Sequence, residues 1–366
     1  MFTRTFLAIA AVLALVACTG GPAPTTPATS PTAGASTPGA SPTAAPTPGA
    51  SPTAEGPGEP EKTTLRLAYS GGLDFSKGTF YKLEQDLREI GLDVQVNVFN
   101  SSQDAFRAVI AGEADMAEGA ILSAISLVQA QGGGVKVVMA DEQVPDYLLI
   151  SRPGFDSLEQ LEGARVGIST PGDTSDTLTR LVFGREDVDV DAVEWIQIGG
   201  TGARMAGLLA DQIDAGMAHA AEGINAAAEG GLNILHRVAD SVPDYLQRGL
   251  ITTDEFIAEN PNLTQLVVDT LIDAARWAHT NKDEYIELSR EVVPDLSEDA
   301  RDQAWDIYHE IGKHAVNGGL TTEQVENTIA IEQEVGNLEG DVPEMSTFID
   351  ASFVESYLER NGEYEE

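Results

Sequence analysis

The residues best equipped for chemistry in this chain lie in short polar segments, each following an apolar, strand-like run. They are Ser70, Gly71 and Asp74; Ser101 and Ser102; Glu118 and Gly119; Asp141; Thr170, Asp173, Thr174 and Ser175; Gly200, Thr201 and Arg204; and His219 and Glu222. Hydroxyls, carboxylates and a guanidinium beside helix starts are hydrogen-bonding groups that grip small polar molecules. Free amides at a helix start favour a negative group by ~0.3–1 kcal/mol each. Ser, Thr and Asp at such positions are also what helix N-caps favour, so each residue taken singly reads equally as a cap.

No nucleophile, base and orienting group fall together. The chain has no GxSxG elbow and no P-loop, and Gly199 to Gly202 is not a complete dinucleotide fingerprint. Asp187, Asp189 and Asp191 have calcium-loop spacing, but Ala192 stands where that loop needs glycine. His309 and His314 lack zincin spacing. No catalytic residue, metal or cofactor is therefore expected. Acids outnumber bases in the polar segments: Asp74, Glu118, Asp141, Glu142, Asp173, Asp176 and Glu222 against Lys77 and Arg204. That balance favours a neutral or cationic nitrogenous ligand over a sulfonate-type anion, with Arg204 as the one good cation for the latter.

The segments need elements to position them. Strands are expected at Leu65–Tyr69, Val94–Phe99, Ala114–Ala117 and Val135–Met139, with helices over 79–90, through Phe106 to Ile110, and over 120–129. Strands separated by helices predict a parallel sheet covered on both faces. The pattern then repeats. Ala164 to Ser175 aligns with Leu65 to Ser76 at an offset of 99 residues, and Asp115 and Asp214 keep the same offset. Val144-Pro145-Asp146-Tyr147-Leu148 returns, one residue closer, as Val242-Pro243-Asp244-Tyr245-Leu246. Two lobes of like topology follow, with a ligand cleft beyond the strand ends. The remainder is helical: Leu263, Leu266, Val267, Leu271, Ala274 and Ala278 share one face, and Thr252/Glu255 and Thr321/Gln324 read as capping boxes. These helices are expected to pack back on the first lobe, with Trp277, Trp305 and Tyr308 as anchors rather than ligand stackers.

Composition sets the outer limits. With 21 Lys and Arg against 59 Asp and Glu, the formal net charge is −38, which excludes phosphate-backbone binding and so a nucleic-acid partner. The one Cys permits no intrachain disulfide. Residues Met1 to Val16 carry a single charge, Arg4, and an apolar run from Phe6 to Val16, too short to span a bilayer and suited to an export signal. Leu15-Val16-Ala17-Cys18 resembles a bacterial lipobox, which implies cleavage after a signal peptide at 1–17 and acylation of Cys18. From Thr19 to Glu61 lie 11 of the 18 prolines, among Thr, Ser, Ala and Gly, with the octapeptide TPGASPTA twice. Such a stretch buries too little to fold and is expected to be a disordered tether over 18–61.

Ser157-Leu158-Glu159-Gln160-Leu161-Glu162-Gly163-Ala164-Arg165-Val166-Gly167-Ile168 is similar to the "LxxLxGkxvGv" entry into the second lobe of solute-binding proteins of ABC importers. The branch resembled is the nitrate/sulfonate/taurine and thiamine-pyrimidine-precursor one, NMT1/THI5-like. Ala206 to Ala215 resembles its "aLxxGqiDA" segment, with Asp211 where Gly is usual, and Ala108 to Met116 is the first-lobe counterpart. Thr253 to Trp277 and Phe348 to Val354 resemble its tail. The resemblance implies an α/β type II periplasmic-binding-protein fold, two lobes with a ligand cleft between them. It implies crossings near Ile150–Pro153 and Val238–Leu250, hence a first lobe of 62–151 plus 247–366 and a second of 152–246.

It further implies an exported, monomeric, lipid-anchored receptor on the outer face of the cytoplasmic membrane, or facing a periplasm. That receptor would pass a small nitrogen- or sulfur-containing solute to an ABC permease. A receptor of the same build that signals to a membrane partner is the alternative. A pyrimidine-synthase-like enzyme is disfavoured, because the members compared carry a Cys-rich motif.

Overall fold

The computed structural model describes residues 56–365. The expected signal peptide, Cys18 and the tether up to residue 55 lie outside the described residues. Ten strands are present there: β1 (Thr64–Ser70), β2 (Asp93–Phe99), β3 (Met116–Ala120), β4 (Lys136–Glu142), β5 (Tyr147–Ser151), β6 (Arg165–Ile168), β7 (Glu194–Gln197), β8 (Ala215–His219), β9 (Asn233–Arg237) and β10 (Arg248–Thr252). The helices between them are α1 (Gly78–Glu89), α2 (Ser102–Ile110), α3 (Ile121–Gln131), α4 (Thr174–Arg185), α5 (Thr201–Leu209), α6 (Ala220–Gly230) and α7 (Val238–Ser241). The tail adds α8 (Asp254–Glu259), α9 (Pro261–Thr280), α10 (Lys282–Val292), α11 (Glu298–Glu310), α12 (Thr322–Glu334) and α13 (Ser352–Asn361). No described helix is long and apolar enough to cross a membrane.

The strands form two five-stranded sheets of matching order, β2-β1-β3-β10-β4 and β7-β6-β8-β5-β9. The all-parallel expectation is corrected. Within each sheet the first three strands are parallel, but β10 runs antiparallel to β3 and β4, and β5 antiparallel to β8 and β9. β5 and β10 each arrive from the opposite lobe, and a strand entering from the far side inserts in the reverse direction.

The first crossing also sits earlier than expected. β5 belongs to the second sheet, so the chain changes lobes between Glu142 and Tyr147, not near Ile150–Pro153, and the 151/152 boundary moves accordingly. The second crossing, between Ser241 and Arg248, falls inside its expected window. The two copies of Val-Pro-Asp-Tyr-Leu are these two crossings.

Strand alternation sorts the core. Leu65, Leu67 and Tyr69 of β1 point to a cluster closed by α1, α9 and α13, whereas Ala68 points to one closed by α2 and α3. In the second sheet Leu148 and Ile150 pack with α5 and α6, and Leu149 with α4. The tail does not pack on the first lobe alone. Ala300, Ala304, Trp305 and Tyr308 of α11 join the α6 cluster of the second lobe, and Ile331 of α12 joins the α4 cluster.

Local signals hold with two adjustments. Thr321 and Gln324 form the expected capping box, but α8 is capped by Thr253, whose side chain accepts the Phe256 N–H, instead of by Thr252. Glu61, assigned to the tether, is docked: its carboxylate accepts the N–H groups of Asn262 and Leu263 at 3.0 Å each, at the exposed start of α9.

Candidate functional site

The polar segments from both sheets meet in one cleft of about 450 Å³. Of the residues named from sequence, Ser70, Gly71, Asp74, Ser101, Ser102 and Glu118 line its first-lobe wall. Thr170, Asp173, Thr174, Ser175, Gly200, Thr201, Arg204, His219 and Glu222 line the other. Gly119 and Asp141 do not line it. Gly119 pairs with Gly249 inside the first sheet, and a Cβ there would come within 2.7 Å of the Phe106 ring, so its glycine serves packing. Asp141 is fully buried behind Arg248. A larger groove of about 1060 Å³ lies outside, between α1, β2 and α10; Leu73 borders both spaces.

Among the lining residues that sequence reasoning missed, four carry polar side chains: Tyr147, Ser169, Gln247 and Arg248. Tyr147 and Gln247 stand at the ends of the two crossings, and Arg248 opens β10. Equating the duplicated Val-Pro-Asp-Tyr-Leu with the lobe crossings would have pointed to all three, since a crossing forms the floor of an interlobe cleft. Ser169 follows directly on the end of β6.

The first-lobe wall is a closed ion network. Glu118 is 1% exposed and accepts the Ser70 N–H at 2.9 Å. Lys77 Nζ lies 3.7 Å and Arg248 Nε 3.3 Å from its other oxygen. Asp74 pairs with Lys77 at 2.9 Å and caps the short turn at Phe75–Lys77 through the Ser76 N–H. Lys77, despite burial, is held above its ordinary pKa by Asp74 and Glu118. Behind them Arg248 reaches Asp141 and Glu142, and Lys313 also pairs with Glu142. Gly71 and Gly72, with φ of 73° and 99°, let the loop turn sharply over this wall.

The second-lobe wall differs. Asp173 caps α4 through the Thr174 N–H at 2.7 Å and accepts the Ser169 hydroxyl. Ser175 accepts the Ser169 N–H at 2.9 Å. Asp176 pairs with Arg180 at 2.7 Å. His219 Nδ1 meets Asp146 at 2.7 Å and its ring stacks on Tyr147, centroids 4.3 Å apart. Burial acts to lower the His219 pKa, but Asp146 and Asp74 outweigh it and raise it, while Asp146 falls to about 2 despite burial because it faces His219.

Arg204 is the exception. It is 2% exposed and donates to the Met217 carbonyl at 2.6 Å, the Gly199 carbonyl at 2.6 Å and Thr201 Oγ1 at 3.2 Å. These neutral acceptors occupy three of the five N–H donors of a guanidinium. Among the described residues no carboxylate lies within ion-pair distance of it, and burial lowers its pKa. Beside it α5 has Gly200 as its N-cap and no side-chain cap on its first amides, and Gly200 to Ala203 line the cleft. Five of the acids that suggested a cationic ligand, Asp74, Glu118, Asp141, Glu142 and Asp176, are thus taken up by the protein's own Lys77, Arg248, Lys313 and Arg180, while one buried cation has no carboxylate within ion-pair distance among the described residues.

Residues 87–285 match the family model described as NMT1/THI5 like. No curated protein sequence matches the chain. The fold is shared with solved periplasmic binding proteins. The aliphatic sulphonate binding protein SsuA of Escherichia coli has 14% identity and a TM-score of 0.61, over 78% of this chain and 96% of its own. The nitrate-binding protein NrtA of Synechocystis PCC 6803 has 10% identity and a TM-score of 0.67, over 82% and 90%. The ligand binding component of an ABC-type import system from Staphylococcus aureus, solved with zinc, has 13% identity and a TM-score of 0.67, over 80% and 98%.

Proposed function

The chain belongs to the NMT1/THI5-like family, and from that membership and the chemistry of its cleft we propose that it is the solute-binding lipoprotein of an ABC importer. Cys18, acylated after export, holds it to the outer face of the membrane. The Pro/Thr/Ser segment lets the body move away from that anchor, and the two lobes carry a captured solute to the permease. The body performs no chemistry on the solute.

The observation that carries the ligand class is Arg204. A buried guanidinium with spare donors and no carboxylate partner is costly unless a negative group arrives to meet it. The start of α5, uncapped by any side chain and lining the same cleft, adds amides that favour a negative group. The solute therefore carries a compact anionic head, such as a sulfonate. The likeness in fold to a sulphonate-binding and a nitrate-binding protein supports this reading.

A thermal-shift screen of the soluble body against alkanesulfonates, taurine, nitrate and aminopyrimidines tests it. Ligand at 100 times its Kd stabilises by about 2.7 kcal/mol. Stabilisation by an anion that disappears in Arg204→Gln is expected. Stabilisation by an aminopyrimidine alone, unchanged in Arg204→Gln, would refute it.

A further inference from the structure

Phe75 belongs by sequence to the first lobe and by packing to the second. It opens the short turn Phe75–Lys77, directly after the cleft loop, and is fully buried. Its ring joins the cluster that holds Leu148 and Ile150 of β5, Met205 of α5, and Ala221 and Ile224 of α6. Tyr285 and Tyr308 flank the ring, centroids 5.1 and 5.8 Å away, and Tyr285 Oη donates to the Phe75 carbonyl at 2.7 Å. The Phe75 N–H donates at 3.2 Å to Oε1 of Glu222, in the first turn of α6. The first lobe thus drives one aromatic side chain into the second and fastens it with one carboxyl.

That carboxyl is badly placed to carry a charge. Glu222 Oε2 is buried and, among the described residues, has no hydrogen-bond partner. The acid facing it, Asp74, stands on the opposite lobe. Burial acts to raise the Asp74 carboxyl, but Lys77, His219 and Arg248 outweigh it and hold the group far below its ordinary range, so Asp74 stays ionised. Moving the lobes apart would return Glu222 to water and take it away from Asp74. A neutral Glu222 gives the Phe75 N–H the same acceptor without the desolvated charge or the repulsion.

We propose that Phe75 and Glu222 form a latch between the lobes, engaged while the Glu222 carboxyl is neutral and released when it ionises. The titratable and charged groups facing Glu222 are Asp74 beside the turn, His219 at the end of β8, and Arg301 and Tyr308 from α11. The sides of α6 turned to β5 and α5 meet apolar Leu148, Ile150, Met205 and Leu208. Burial, and after it the Asp74 charge, raise the Glu222 carboxyl from 4.5 to about 7, against the pull of His219. A carboxyl raised by engagement takes up a proton on engaging. The contribution is whole below about pH 4.5 and is lost as pH rises through 7. The ratio of engaged to released molecules should therefore fall about tenfold between pH 6 and pH 8.5. No solute takes part, so the latch stands or falls apart from the anionic-head reading.

Electron–electron distance measurements on the solute-free full chain test this, at pH 6 and pH 8.5 and constant ionic strength. Spin labels go on Gln103→Cys in α2 and Ala206→Cys in α5, exposed positions on opposite lobes, with Cys18→Ser leaving only those two thiols. One short distance is expected at pH 6, with a longer one growing in by pH 8.5 at the tenfold change in ratio. Glu222→Gln, neutral at both values, should keep the pH 6 distribution throughout. Phe75→Ala should show the longer distance already at pH 6, and Phe75→Leu, which keeps an apolar wedge and spares the fold, should lie between. A parent distribution indifferent to pH overturns the latch. So does a pH change that survives Glu222→Gln, which would assign the titration to His219. Phe75 variants that match the parent at pH 6 overturn it as well, by reducing the contact to packing.

Discussion

Asp214 accepts the main-chain N–H of Arg165 at 2.9 Å and its Nη2 at 2.8 Å. Asp115, at an offset of 99 residues, accepts the N–H of Arg66 at 2.8 Å and its Nη2 at 2.6 Å. In each lobe the same Arg–Asp pair ties the start of the first strand to the turn that leads into the third, so the repeat in sequence is one structural device used twice.

Asp214 also receives Arg152, and its neighbouring guanidinium groups and the Arg165 amide hold its carboxyl far below the ordinary range. A depressed carboxylate pKa contributes stability that is present above its unfolded value and lost as pH falls through the folded one. Asp214→Ala strands two arginines and an amide, and should cost about 2 kcal/mol by urea denaturation at pH 7. The loss should shrink toward pH 3. An unchanged midpoint would mean the pairs are solvated decoration.

Glu332, in α12, accepts the Tyr245 hydroxyl from the second crossing at 2.5 Å and Asn337 Nδ2 at 2.9 Å. Burial raises its carboxyl from an ordinary 4.5 to about 7. The raised value means this group favours the fold fully below about pH 4.5, and that contribution is lost as pH rises through 7. Glu332→Gln removes the titration and keeps an acceptor, so it should gain on the parent by roughly 1–2 kcal/mol between pH 5 and pH 8. Melting curves across that window check it; parallel curves for parent and variant would contradict it.

Asn337 also donates to Thr177 Oγ1 of α4, which makes the segment after α12 a strap from the tail to the second lobe. Thr177→Val and Asn337→Ala should each loosen the hold of this segment on the second lobe. The expected result is a larger radius of gyration by solution scattering without ligand, restored when ligand is added. Identical profiles for parent and variants would show that the strap does not restrain the lobes.

Glu61 holds the start of α9 from a residue expected to belong to the tether. Glu61→Ala should lower stability by about 1 kcal/mol, the usual worth of an N-terminal cap. Deleting residues 19–57 should leave the melting temperature within about a degree, because their composition offers little to bury. A large loss on the deletion would mean that the Pro/Thr/Ser segment packs.

The anchor rests on Cys18 alone. Cys18→Ser should release the protein from membranes or leave it uncleaved. Unchanged fractionation and unchanged acyl labelling would exclude the lipobox.

Periodicity and repetition in the chain were enough to determine the two like lobes, the order of their first strands and helices, and most of the loops that meet at the cleft. These are local properties: an alternating strand such as Val94 to Phe99, or a capping residue such as Asp173, carries its own signature within a few positions. The direction of β5 and β10 was hidden, because strand direction depends on which lobe the chain has just left. The docking of α11 on α6 was hidden too, since an amphipathic helix specifies a buried face and not the surface that buries it. Charge was the least legible property. Counting acids near the cleft suggested a cation, but a count cannot say which carboxylates are already answered. Only the tertiary structure brings Arg248 and Lys313 from distant segments onto Glu118, Asp141 and Glu142, and, among the described residues, leaves Arg204 with neutral acceptors alone and one oxygen of Glu222 without a hydrogen-bond partner.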